Sequence, residues 1–177
     1  MSSGPDGSPP SEAPPTLHVP RPDESAAADE STMARRWLEH LRASAVYKAE
    51  GLSDAELRWK PSPTANSLGQ IVLHLGYAER LWLRAIFDGE DMDMGWRGRM
   101  FDLPDSWSVD DVVGFYRAEC AAADLVLDAA DSFDERSRGP LRPTTLRWVV
   151  FHLIEETARH VGHMDITREL LDGSVGR

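Results

Sequence analysis

Within Thr144–Gly173, TTLRWVVFHLIEETARHVGHMDITRELLDG, four side chains able to bind a metal stand at helical spacing: His152, Glu156, His160 and His163. At about 100° per residue in an α-helix they fall in a strip roughly 80° wide, as stacked neighbours on one face. An apolar arc runs beside the strip, through Leu146, Val150, Leu153, Thr157, Val161, Met164 and Leu171. Arg147, Glu155, Arg159 and Glu169 occupy the opposite side and read as solvated charge. The polar strip therefore borders the buried side of a long amphipathic helix. Desolvating such groups without partners is expensive, and a divalent metal would satisfy them.

The rest of the chain supplies three further helices for that one to pack against. The first is expected from near Thr32 to Glu50, with Gly51 just past its end. Trp37, Leu41, Ser44, Ala45 and Lys48 share its helical spacing, with Met33 and Leu38 on the shoulders and His40 at the surface. Ser53 and Glu56 have capping-box spacing for a short turn, which Pro61 and Pro63 end. Asn66 or Ser67 caps a second helix from about Leu68 to Asp88, stopped by Gly89, and Ser67 with Gln70 repeats the box. Its core stripe is Ile71, Leu75, Ala78, Trp82, Ala85 and Ile86, with His74 on the edge. The long connection that follows, carrying Trp96, Arg97 and Arg99, reads as a plain surface or packing loop, with the mouth of a pocket as the alternative. Ser108 caps a third helix running to about Ala130, and Thr144 caps the fourth. No period-two strand pattern occurs. The fold class is all-α, a four-helix bundle over residues 32–177, preceded by a disordered tail over 1–31 rich in Pro, Ser, Ala and acidic residues.

Composition removes several function classes. The net charge of −11 and the lack of a basic stripe argue against nucleic acid. No apolar run is long enough for a membrane, and the N-terminus lacks the pattern of a secretory signal. The single cysteine, Cys120, forbids an internal disulfide and suits a reducing cytoplasm; its helical AECAAADL context reads as packing.

Imidazole and carboxylate donors suit zinc, nickel or iron. The tripod expected from the residues is His74 with His160 and His163 as metal ligands, Glu156 serving as a fourth ligand or a substitute. Three protein ligands leave an open position, the arrangement of a catalytic rather than a structural zinc. His152 falls to the pocket wall or the surroundings of the ligands. Glycine-rich phosphate loops, a HExxH pair and a G-x-S-x-G elbow are all absent from the sequence.

LGQIVLHLGYAERLW around His74, RWVVFHLIEETARHVGHMDITRELLDG around His160 and His163, and GLSDAELRWKPSPTANSL between the first two helices together resemble the DinB-like (damage-inducible) metal-binding four-helix bundles. The likeness spans about Met33 to Gly173 and is nearest an actinobacterial subgroup. It implies a zinc- or nickel-type site built from one histidine on the second helix and two ligands on the last. It also implies use of a low-molecular-weight thiol such as mycothiol, bacillithiol or glutathione, with homodimers common. Relatives often carry His-x-x-x-His or Glu-x-x-x-His on the last helix, whereas this chain offers both Glu156-x-x-x-His160 and His160-x-x-His163. The function expected is a metal-dependent thiol S-transferase acting on reactive electrophiles, with His152 and Glu156 as catalytic residues. The alternative is a non-catalytic, stress-associated metal- or ligand-binding bundle.

Overall fold

A computed structural model describes residues 16–17 and 19–176. Helix α1 spans Glu30–Ala49, α2 Asp54–Arg58, α3 Leu68–Glu79, α4 Val109–Asp128 and α5 Leu146–Asp172. α3 runs on into a π-helical stretch, Arg80–Asp88, and a 3₁₀ turn, Arg97–Arg99, lies in the connection to α4. α1 packs chiefly along α5, and α3 along α4, closing the four-helix bundle. Among the described residues no helix is long and apolar enough to cross a membrane.

Capping chemistry sets where the helices begin. Ser53 and Ser67 form the expected boxes with Glu56 and Gln70, and Ser108 forms a third with Asp111. α1 starts at Glu30 because the Asp29 carboxylate accepts from the Thr32 amide at 2.8 Å. α5 is capped by Thr145 and not by Thr144 as expected. Thr145 Oγ1 accepts from the Trp148 amide, while the backbone of Thr144 is engaged with Ser137 in both directions. Gly89 ends the π-helical stretch at φ +77°, and a Cβ there would lie 2.8 Å from the Gly139 backbone.

Three features depart from the sequence expectation. The second helix is not uniformly α-helical; its winding widens where Arg80 and Arg84 both pair with the buried Glu119. Two strands of two residues, β1 (Thr16–Leu17) and β2 (Val175–Gly176), pair in parallel, too short for any period-two signal. The buried face of α1 comprises Ala34, Leu38, Arg42, Ser44, Ala45, Lys48 and Ala49, so Ser44, Ala45 and Lys48 are buried as expected, while Arg42 joins them and Trp37 is left 38% exposed. Hydropathy does not show Arg42 on this face, because the carboxylates that pair with it lie on other helices. The expected tail disorder falls partly on residues 1–15 and 18, outside the described residues. Residues 19–29 form no helix, and the Pro20 carbonyl accepts from His40 Nδ1 at 3.0 Å.

The core is divided in two. One apolar cluster contains Leu38, Leu83, Phe87, Leu146 and Leu153; the other contains Leu57, Leu68, Leu75, Tyr116 and Met164. Each long helix passes from one cluster to the other through a polar position: Arg42 on α1, Glu79 at the end of α3, Glu119 on α4, and Glu156 on α5. Arg42 grips Glu79 through two bonds of 2.7 and 2.6 Å and reaches Asp124 at 2.6 Å. Removing one partner of such a pair strands a buried charge. Glu79→Ala should therefore cost about 3–5 kcal/mol in denaturant unfolding, and a joint Arg42→Met/Glu79→Met replacement should recover most of it. Equal losses in the single and double variants would refute the assignment.

Candidate metal centre

α3 brings His74 to the level of α5 at which Glu156 and His160 stand one turn apart. One donor atom from each of these three residues lies within 4.8 Å of the others. His74 Nε2 is 2.9 Å and His160 Nε2 3.3 Å from the same Glu156 oxygen, Oε1. Their side chains are only 12%, 14% and 11% exposed for His74, Glu156 and His160.

Neighbouring groups fix the three donors. Phe101, from the α3–α4 connection, lies flat on the His74 ring, with centroids 4.1 Å apart and planes 10° apart. Its backbone carbonyl accepts from Gln70 Nε2 at 2.9 Å, which ties the connection to α3. Arg159 pairs with the other oxygen of Glu156, Oε2, and with Glu155. Burial by itself would raise the Glu156 carboxyl, but the His74 hydrogen bond and the nearby charges of His160 and Arg159 hold it below the usual range. Burial pushes the His160 imidazole down, helped by His74 and opposed by Glu156.

This donor set fits a divalent ion. Zinc with bonds of about 2.0–2.1 Å to nitrogen and oxygen sets tetrahedral donors roughly 3.3 Å apart, close to the 2.9 and 3.3 Å that separate the two imidazole nitrogens from Glu156 Oε1. The protein groups alone leave an imbalance. Two imidazole nitrogens, His74 Nε2 and His160 Nε2, face one carboxylate oxygen, and both opposite nitrogens, His74 Nδ1 and His160 Nδ1, are buried without a partner. A cation among the three donors would remove the competition for Oε1.

The remaining residues of the strip lie to either side. His163 is exposed, its ring 5.6 Å from that of His160, and it stands outside the group of three. It is seven residues from Glu156, about 10 Å along the helix axis. With His160 it lines a cleft of about 320 Å³, walled by Pro61, Thr64, Asn66 and Ile71. His152 lies toward the other end of α5, stacked on Trp148 at 4.9 Å and edge-on to Trp82 at 4.3 Å. Burial lowers its pKa, and it lines a second cleft of about 490 Å³ with Trp148 and Phe151. Sequence reasoning missed Phe101, which no local pattern links to His74. Arg159 is exposed, in keeping with its reading as solvated charge, but its pairing with Glu156, which the i+3 spacing could have flagged, was missed. Trp96 packs on Tyr77 at 4.9 Å, while Arg97 and Arg99 are exposed.

Residues 33–173 match the family model described as Mycothiol-S-transferase. A solved structure, described as the crystal structure of the conserved protein of locus from Enterococcus faecalis, aligns with a TM-score of 0.61 at 17% identity. The alignment covers 82% of this chain and 98% of that one. At that identity the likeness speaks for the fold alone. No curated protein matches.

If the ion is held by the group of three, His74→Ala, Glu156→Ala and His160→Ala should each lose bound metal while helical content stays unchanged. His163→Ala should retain it. Elemental mass spectrometry with circular dichroism reads both quantities, and metal loss confined to His163→Ala would place the centre further along α5.

Proposed function

The chain belongs to the mycothiol S-transferase family, and on that footing we propose that it joins the sulfur of a low-molecular-weight thiol, mycothiol or a relative, to a reactive electrophile. The observation that carries this reading is the convergence of His74, Glu156 and His160 beside an open cleft, within the family-matched segment. These three residues would hold a divalent ion, zinc first by donor type. Such an ion lowers the pKa of a coordinating thiol and so supplies sulfur in its nucleophilic form.

The protein's own groups have separate tasks in this reading. Arg159 holds one Glu156 oxygen and leaves the other turned toward the two imidazoles. Phe101 fixes the plane of His74 and keeps water from that side of the ring. The thiol enters the cleft beside His160, where the solvent-facing His163 takes its proton. Sulfur then bonds to the electrophilic carbon as the leaving group departs with its electron pair, or as the electron pair of an activated double bond shifts.

Steady-state assays with mycothiol and a halogenated dinitrobenzene test the reading. Turnover should fall at least about 100-fold after chelation and in Glu156→Gln, and return when metal is restored to the native chain only. A full equivalent of bound metal without turnover across mycothiol, bacillithiol and glutathione would favour a non-catalytic metal-binding bundle.

A further inference from the structure

Among the described residues, one face of α5 has nothing packed on it. At about 100° per residue, Trp148, Phe151, Ala158, Gly162, Ile166 and Leu170 fall within a stripe roughly 120° wide that runs the length of the helix. All six are open to solvent, while α1 and α3 hold other sides of α5. The four large apolar members keep 43% (Trp148), 47% (Phe151), 59% (Ile166) and 61% (Leu170) of their surface exposed. An apolar face of this extent, rimmed by charge, marks a protein interface.

The middle of the stripe is built differently from its ends. Ala158 and Gly162 are small, and a Cβ added at Gly162 would meet nothing within 4 Å. Glycine inside a helix is a poorer helix former than alanine, and neither a turn nor a close contact within this chain calls for it here. It does let a second helix approach closely. Glu155 and Arg159, paired with each other at 3.0 Å, also stand at this level. Read from either end, the stripe runs from large apolar residues through a charged and small centre to large apolar residues. That symmetry is what a twofold contact requires, because the same surface serves both copies.

We propose that this face of α5 binds the same face of a second copy of the chain, the two helices running antiparallel and crossing between Ala158 and Arg159. Such a crossing sets Phe151 level with the partner's Ile166, and Trp148 within one residue of the partner's Leu170. Along the axis Glu155 then stands about 4.5 Å from the partner's Arg159, nearer than the roughly 6 Å to its own, so opposite charges meet across the contact. The two Arg159 side chains come together near the twofold axis, each already neutralised by Glu155 and Glu156 of its own helix. The partner's Glu155 comes beside His163, and the partner's Phe151 beside Ile166; His163 and Ile166 both line the cleft next to His160. Each copy therefore roofs the other's cleft and narrows the way to the metal centre. That consequence rests on the thiol-transfer reading; the contact itself does not.

Sedimentation velocity of the full-length protein tests the contact without reference to turnover. At micromolar concentration the native chain should sediment as a dimer. Phe151→Glu should keep the native helical content, because the side chain is half-exposed, and weaken the dimer at least about 100-fold. Gly162→Leu, which adds bulk where the helices come closest, should also yield monomer. Adding Ile166→Arg to Phe151→Glu should bring the dimer back to within about 10-fold of the native affinity, since the two new charges face each other only in this antiparallel register. A native chain that is monomeric, or a dimer that survives Phe151→Glu, overturns the proposal. So does a double variant no more dimeric than Phe151→Glu alone. A dimer that behaves as described but turns over no thiol supports the contact and counts against thiol transfer only.

Discussion

Arg42 and Glu79 meet through two charge-assisted hydrogen bonds inside the bundle, with Glu79 almost wholly removed from solvent. Placing a guanidinium and a carboxylate there costs desolvation that only close, multiple bonds offset. Once that pair sits at mid-height, the core cannot be a single apolar column. It becomes two clusters separated by a polar layer, and every long helix must present a polar residue at that level. Glu119, with Arg80 and Arg84, completes the layer on one side; His74, Glu156 and His160 complete it on the other. The candidate centre is thus the chemically versatile edge of a layer that the whole bundle shares.

This layer also decides what hydropathy can and cannot reveal. The apolar arc of α5 and the stripe of α3 were legible because they bury aliphatic residues at helical spacing, as Leu146, Leu153, Met164, Ile71 and Leu75 do. Serine caps were legible because their side-chain bonds are local. The inward place of Arg42 on α1 was not, since its burial depends on Glu79 and Asp124, which are remote in sequence. The strip of donors on α5 followed from periodicity alone. Which of them stand level with His74 depends on how far α3 is shifted along α5, a quantity set by tertiary packing. The aromatic ring that lies on His74 belongs to a connection with no repeating pattern at all.

Both clefts on α5 flank the donor group without enclosing it. One is walled by the proline-bearing segment before α3, the other by the indole of Trp148 and the ring of Phe151. A site held by rigid helices yet bordered by two concavities can keep its donors fixed while accepting partners of different shape on either side.

His74 and Glu156 are 82 residues apart in the chain. A chelating pair within α5 can form as soon as that helix does, but the third donor arrives only when α3 has docked across the bundle. An ion that needs all three has little to bind before this long-range closure, so it would retard unfolding more than it would speed folding. The lifetime of the folded chain would then follow the free metal concentration, and metal starvation would shorten it before any change in the helices themselves.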